Sequence, residues 1–156
     1  MTRTNVMRLL DAAGIAYEAR EYPWQEDDLS GTHAAQELGM PPEQVFKTLV
    51  ARGDKTGPLV FCIPVEENLD LRKAASASGN KRVEMLPLRE LTGLTGYQRG
   101  GCSPIGMKKK FPTCIDETAV LFDTIGVSAG MRGAQILLNP QALADYIGAQ
   151  FAELTV

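Results

Sequence analysis

Two apolar runs in the middle of the chain decide the fold: VFKTLVA at residues 45–51 and LVFCIPV at residues 59–65. Both are rich in β-branched and aromatic residues, which favour strands. The intervening RGDKTGP supplies Gly53, Gly57 and Pro58, which are residue types typical of turns. The pattern therefore predicts a central hairpin of two adjacent strands.

Elements on the N-terminal side of the hairpin alternate between helix and strand. Apolar residues recur at helical spacing over residues 6–13, and Thr4 and Gly14 suit the two ends of that helix. Residues 15–22 alternate loosely between apolar and polar and are halted by a proline, which predicts an edge strand. A short helix is expected at residues 34–38.

The C-terminal side continues this alternation. Asp70 can cap a helix with the sequence LRKAASAS, and Asn139 can cap a final helix that carries Leu143, Ile147 and Phe151. Short strands are predicted for KRVEML, TCI, AVLF, IGVSA and ILL, at residues 81–86, 113–115, 119–122, 125–129 and 136–138. Because no linker interrupts the series, the sequence predicts one α/β domain over residues 1–156.

The composition is that of an ordinary soluble protein. Of the 156 residues, 44% are hydrophobic and 22% are charged, and the formal net charge is -3. No apolar run reaches the roughly 18 residues that a membrane span needs, and the N-terminus lacks the apolar stretch of a signal peptide. These features predict a cytoplasmic protein without membrane contact.

The supply of reactive side chains is small. Cys62, Cys102 and Cys114 are odd in number and widely spaced, which predicts reduced thiols rather than disulfides or a zinc knuckle. His33 is the only histidine, so a Ser-His-Asp triad, a Cys-His pair or a multi-histidine metal site would depend on it alone. We predict no metal and no cofactor.

Lys47 is the one charged residue of the first central run. It falls on the same face as Val45 and Leu49 because side chains alternate along a strand. A buried ammonium group is costly unless it is paired. Lys47 therefore either forms a structural ion pair or lines a cleft that holds an anionic or carbonyl group.

A glycine-rich segment, GYQRGGCSPIG at residues 96–106, is followed by Lys108, Lys109 and Lys110. It has neither a Rossmann fingerprint nor the GK[ST] ending of a P-loop. Its glycines permit close backbone approach to a ligand, or they form a tight surface turn. The lysines can contact phosphates, or they belong to a solvated loop.

Taken together, these segments resemble the YbaK/EbsC family. The resemblance rests on FKTLV around Lys47, LDLRKAA, KRVEM, GYQRGGCSPIG, KKKFPT and VSAGMRG, which follow in that order over about residues 6–151. It implies the fold of the bacterial prolyl-tRNA-synthetase editing domains, which is α/β with a mixed, partly barrel-like sheet and flanking helices. It also implies hydrolysis of the ester that joins a wrong amino acid to tRNA, typically cysteine on the tRNA for proline.

The resemblance implies the site residues as well. It gives catalytic roles to Lys47 and to two loop glycines, Gly100 and Gly101, whose carbonyls would orient the aminoacyl group. The substrate-binding positions that it implies are Tyr22, Thr48, Ser128, Gly130 and Gln135. Contacts with the tRNA backbone are expected from Lys108, Lys109 and Lys110.

Two departures from the family pattern leave the preferred amino acid open. Residues 29–31 read Leu-Ser-Gly where relatives often have an aromatic residue, and Gln135 stands where some relatives have an acid. The alternatives are Cys-tRNA(Pro), attacked by the thiol of its own cysteine, and Ala-tRNA(Pro) or another small aminoacyl-tRNA, attacked by an ordered water. A non-catalytic module that binds a nucleotide or a synthetase is a further alternative.

The expected partner is the acceptor end of a misacylated tRNA. The resemblance also implies prolyl-tRNA synthetase as a second candidate partner, since so short a chain shows no anticodon-reading module. The sequence does not indicate an oligomeric state.

Overall fold

The computed structural model describes residues 2–156, and these form a mixed α/β fold. The helices are α1 (Asn5–Ala13), α2 (Gly31–Leu38), α3 (Leu71–Ser78), α4 (Leu91–Thr95) and α5 (Pro140–Ile147). The strands are β1 (Tyr17–Glu21), β2 (Phe46–Gly53), β3 (Gly57–Pro64), β4 (Val83–Met85), β5 (Thr113–Asp116), β6 (Ile125–Ser128), β7 (Ala134–Leu138) and β8 (Gln150–Ala152). Short 3₁₀ helices occupy Pro42–Gln44, Leu88–Glu90 and Glu117–Leu121.

The strands are arranged in two sheets. One has three strands in the order β1-β7-β6, and the other has five in the order β4-β2-β3-β5-β8. The predicted central hairpin is confirmed: β2 and β3 pair antiparallel from Phe46 opposite Pro64 to Gly53 opposite Gly57. The two sheets adjoin at the start of β2, where the preceding residue, Val45, forms a parallel bridge with Gly126 of β6. Within the described residues the sheets stay open, so the mixed α/β prediction holds without a completed barrel.

Helix ends follow the caps that the sequence predicts. Thr4 accepts a hydrogen bond from the amide of Met7 at the start of α1, and Asp70 accepts two at the start of α3. The Asn139 side chain accepts from the amide of Ala142 at the start of α5. Each such cap typically contributes about 1 kcal/mol.

Two predicted elements near the C-terminus are wrong. The AVLF segment is not a strand: Asp116 caps a 3₁₀ helix by accepting from the amide and hydroxyl of Thr118, and Leu121 is left exposed. The last helix also does not reach Phe151, because Gly148 adopts φ 70° and ends it after Ile147. The chain then forms β8, which pairs in parallel with β5.

The largest buried cluster joins both sheets and the helices beside them. Its fully buried members include Leu10 of α1, Phe46 of β2, Ile115 of β5, Ile136 of β7 and Leu143 of α5. This shared core fixes the two sheets relative to each other. In residues 2–156, no helix is both long enough and apolar enough to cross a membrane.

Candidate active site

A cavity of about 380 Å³ lies beside the middle of β2. Immediately before β2, Val45 forms a bridge to β6, and from Ala51 to Gly53 β2 pairs with β4. Between these two contacts the outer edge of β2 has no strand partner among the described residues, and the cavity occupies that gap. The polar and glycine residues of its wall include Tyr22, Ser30, Gly31, Lys47, Thr48, Arg99, Gly100, Cys102, Ser128 and Gln135.

Peptide groups of β2 face this cavity. The carbonyl of Val45 accepts from the amide of Val65 at 2.9 Å. Alternate residues from Val45 onward therefore direct their peptide groups toward β3 and hydrogen-bond to it. The residues between them direct their peptide groups to the other side, as Val50 does when its carbonyl accepts from Leu86. The amide and carbonyl of Thr48 therefore point into the gap, where a ligand can hydrogen-bond to them.

Lys47 lies on the cavity wall and is partly buried. No carboxylate of the described chain lies within 4.0 Å of its ammonium group. Burial lowers the pKa of Lys47, and the more distant charge of Glu67 raises it in part. Of the two interpretations of this residue, the structure excludes a close ion pair and places the cation in a cleft.

Tyr22 and Gln135 lie together on another part of the wall. Tyr22 directly follows β1, and its amide donates to the carbonyl of Gly133 at 2.9 Å. Burial raises the pKa of Tyr22, while hydrogen bonds with the backbone of Gly133 and with the side-chain amide of Gln135 lower it in part. Gln135 is only 6% exposed, and its Oε1 has no hydrogen-bond partner among the described residues. A buried carbonyl oxygen without a donor marks a place that a ligand donor can fill.

Ser128 lines the cavity, whereas Gly130 does not. The hydroxyl of Ser128 accepts from the amide of Gly130 at 3.1 Å, which fixes the turn that follows β6. Gly130 has φ 95°, and a Cβ at this position would lie 3.0 Å from Val6. The structure thus gives Gly130 a packing role behind the wall.

The two loop glycines differ in the same way. Gly100 lines the cavity with φ 84°, a backbone conformation that favours glycine. Gly101 is buried behind it, where a Cβ would stand 3.0 Å from backbone atoms of Met131 and Arg132. Gly101 thus lets the glycine-rich loop approach the turn between β6 and β7 closely.

The three lysines lie outside the cavity wall. Lys108, Lys109 and Lys110 are all exposed. Lys108 donates to the carbonyl of Gly93 at 3.3 Å, so it is attached to the surface of α4. Any contact between these lysines and RNA would therefore be made outside the pocket.

Sequence reasoning missed several residues of the wall. Arg99 and Cys102 flank the loop glycines, and Met85 and Leu88 line the wall with side chains that are 44% and 57% exposed. Arg99 carries a second cation, for which residues 2–156 provide no ion-pair partner. The sequence does contain an indication of this role: Arg99 stands between a glutamine and two glycines, so it must lie on the same loop as Gly100.

Comparison with known proteins shows the family of this chain. A family model described as the aminoacyl-tRNA editing domain matches residues 30–146, which include β2, the glycine-rich loop and most of the cavity wall. The chain belongs to the aminoacyl-tRNA editing family. The predicted resemblance is thereby confirmed, and this editing domain is an aminoacyl-tRNA deacylase by class.

Individual relatives give the same result. A protein of Enterococcus faecalis (strain ATCC 700802 / V583) with the provisional name Cys-tRNA(Pro)/Cys-tRNA(Cys) deacylase EbsC is 52% identical over 153 residues, which are 98% of this chain and 93% of that protein. A crystal structure provisionally described as a trans-editing enzyme for prolyl tRNA synthetase is 27% identical, with TM-score 0.85 and 99% of each chain covered. The hypothetical protein APE2540 shares the fold, with TM-score 0.88 at 21% identity over 98% of this editing domain and all of that chain.

Proposed function

We propose that this editing domain removes the amino acid from misacylated tRNA in trans, with Cys-tRNA(Pro) as its preferred substrate. The observation that carries the proposal is the Lys47 ammonium, which has no ion-pair partner within residues 2–156 and lies in the wall of a cavity of about 380 Å³. A cavity of this size fits a small ligand such as a terminal nucleoside with a small amino acid. The 52% identity to EbsC supports the choice of cysteine and of tRNA(Pro).

The chemistry that we propose relies on the substrate. The cysteine thiol attacks its own ester carbonyl, a carbon–sulfur bond forms, and the ester bond to the ribose oxygen breaks as that oxygen takes up the thiol proton. The cysteine leaves as a cyclic thioester, which water then opens to the free amino acid. The pocket supplies orientation, which can contribute several kcal/mol to such an intramolecular reaction. Lys47 stabilises the negative charge that develops on oxygen, because a fixed cation acts strongly in a cleft that excludes water.

The carbonyl and amide groups that line the gap hold the aminoacyl group in this proposal. The Thr48 peptide group and the carbonyl of Gly100 bind its polar atoms, and Oε1 of Gln135 accepts from a donor of the same group. Tyr22 and Ser128 complete the wall. Gly101 and Gly130 contribute by shaping the backbone behind it.

The RNA itself is bound by cations around the mouth. Arg99 contacts a phosphate next to the terminal nucleotide, and Lys108, Lys109 and Lys110 contact phosphates farther along the acceptor stem. Most of the affinity for nucleic acid comes from such contacts. We propose a cytoplasmic location, where its tRNA substrate is charged, and prolyl-tRNA synthetase as a second partner that selects the tRNA.

A deacylation panel tests the function. Release of amino acid is measured from cysteinyl-, alanyl-, seryl- and prolyl-tRNA(Pro), with the wild type, Lys47→Met and the control Lys55→Met, whose lysine lies in the β2–β3 turn away from the cavity. We expect fastest release of cysteine, a loss of at least roughly tenfold in Lys47→Met, and no change in the control. Equal rates in all three proteins would remove Lys47 from the mechanism. Faster release of alanine would reassign the substrate, and tRNA binding without release would indicate a non-catalytic module.

A further inference from the structure

One arginine side chain hydrogen-bonds the loop that carries Gly100 to the turn between β6 and β7. The Nε of Arg132 donates to the carbonyl of Arg99 at 2.9 Å. Arg132 lies in the turn between β6 and β7, and its side chain is only 21% exposed. Because Arg99 is bonded directly to Gly100, this hydrogen bond holds the peptide next to the cavity wall.

The same guanidinium group lies over an aromatic ring from a third segment. The Cζ atom of Arg132 is 5.5 Å from the centre of the Trp24 ring, a distance at which a cation is attracted to an aromatic face. Trp24 belongs to the segment between β1 and α2 that also carries Tyr22 and Leu29 of the wall.

The glycine at position 133 leaves the space that Trp24 needs to lie beside Arg132. A Cβ on Gly133 would stand 2.4 Å from Cδ1 of Trp24, so only glycine leaves room for the indole. Glu26 adds little to the arrangement, because its carboxylate is 3.8 Å from Arg132 and the side chain is 84% exposed.

We propose that Arg132 is a positioning residue for deacylation: together with Trp24 it clamps the glycine-rich loop against the cavity and fixes the orientation of the Gly100 peptide. The inference rests on the proposed function and adds a residue that does not line the cavity. It follows from geometry, since Arg132 joins two of the segments that form the wall to the turn between β6 and β7.

The clamp is expected to affect turnover more than binding. A loop that shifts by about 1 Å can cost up to roughly 100-fold in rate. Affinity for tRNA depends mainly on phosphate contacts, and the proposal assigns no phosphate contact to Arg132. We therefore expect Arg132→Met to lower kcat by roughly 10- to 100-fold with little change in KM.

The experiment compares Arg132→Met, Arg132→Lys, Trp24→Leu and the double variant Trp24→Leu/Arg132→Met on cysteinyl-tRNA(Pro). Arg72→Met is the control, because it removes one exposed arginine from α3, away from the cavity. Loss in the double variant should equal that of the more severe single variant, since both break one clamp. Arg132→Lys should recover little, because it lacks the Nε donor and the planar group that stacks on the ring.

Trp24 is the only tryptophan, so its fluorescence reports the clamp directly. In Arg132→Met we expect emission to shift to longer wavelength and acrylamide quenching to increase, with thermal unfolding measured to show that the variant is folded. An unchanged kcat, losses that multiply in the double variant, or a change confined to KM would overturn the proposal. If the wild type released no amino acid from any tRNA, the proposed function and the kinetic role would both fail, while unchanged Trp24 emission in Arg132→Met would separately show that no clamp forms.

Discussion

Gly100 lies against the side chain of Leu29, and a Cβ on Gly100 would stand 3.1 Å from the Cβ of that leucine. The two residues come from different loops, and both line the cavity. Gly100 also has φ 84°, so any other residue would be strained as well as crowded. The contact closes the cavity between the glycine-rich loop and the segment before α2.

Replacing Gly100 by alanine is therefore expected to lower both stability and activity. The left-handed conformation alone costs about 1–2 kcal/mol in a residue with a side chain. Denaturant unfolding and cysteine release would measure the two effects. Gly93→Ala is the matched control: its Cβ meets nothing within 4 Å and it lies inside α4, so alanine there should stabilise the protein by about 0.5–1 kcal/mol. Full activity in Gly100→Ala would contradict a role for this peptide.

The unpartnered oxygen of Gln135 leads to an unusual expectation for stability. Gln135→Leu removes a buried acceptor that has no donor within residues 2–156, and it also removes the side-chain interaction with Tyr22, so the two effects offset each other and the free energy of unfolding should change by less than about 1 kcal/mol. Deacylation should fall by roughly tenfold, because the substrate donor loses its acceptor. In contrast, Gln44→Leu breaks a 2.9 Å hydrogen bond to the carbonyl of Thr124 and should lose about 1 kcal/mol without loss of activity. Unchanged activity in Gln135→Leu would show that the substrate does not use this oxygen.

The partly buried ammonium group of Lys47 is expected to lower the free energy of unfolding at neutral pH. Burial holds its pKa below the ordinary value of 10.5, so the unfolded chain binds this proton more tightly than the folded one. Lys47→Met should therefore raise Tm by a small amount, because solvent screens the charge of a side chain that is only partly buried. The difference should vanish as the pH rises through the window between the lowered pKa and 10.5. Thermal unfolding of both proteins from pH 7 to 11 checks this, and a difference that grows with pH would refute it.

Cys102 lies on the wall but should be unreactive. Burial raises the pKa of this thiol to about 12, and a side-chain hydrogen bond with Thr95 lowers it only in part. At pH 8 the thiolate is therefore scarce, and alkylation by iodoacetamide should be much slower than that of an ordinary cysteine. Cys102→Ser should retain activity within about twofold of wild type. Rapid inactivation that substrate prevents would instead indicate a thiol-dependent hydrolase.

Arg99 should contribute to binding through a phosphate. Its guanidinium has no ion-pair partner within residues 2–156, and it lines the cavity at the loop. Arg99→Ala should weaken tRNA binding and reduce the slope of log K against log salt by about 0.7, the value for one phosphate of a single strand. Titrations at several salt concentrations test this, with Arg72→Ala as the control. An unchanged slope would remove Arg99 from the RNA interface.

Much of the fold was predictable because its signals are local. The hairpin and the helix caps at Thr4, Asp70 and Asn139 depend on neighbouring residues, and the structure confirms them. The strand predicted for AVLF was wrong because the apolar composition of this segment resembles that of a strand. The cap at Asp116 and the exposure of Leu121 are decided by the surrounding structure.

The site was predictable only in part, for a related reason. A lysine within an apolar strand is a visible anomaly, so Lys47 could be selected from the sequence. Arg132 and Trp24 carry no such anomaly, because each is an ordinary surface residue until the fold places them 5.5 Å apart. Pairing across more than a hundred residues is not encoded in composition or periodicity.

The gap in the edge of β2 has a consequence for how the molecule avoids self-association. Unpaired strand edges are templates on which other chains can add β-structure and aggregate. Here β6 and β4 contact β2 at either end, so only a few residues stay unpaired, and they lie in a recess. A second protein strand that extends along this edge would meet β6 at one end and β4 at the other, whereas a small ligand can reach the same peptide groups.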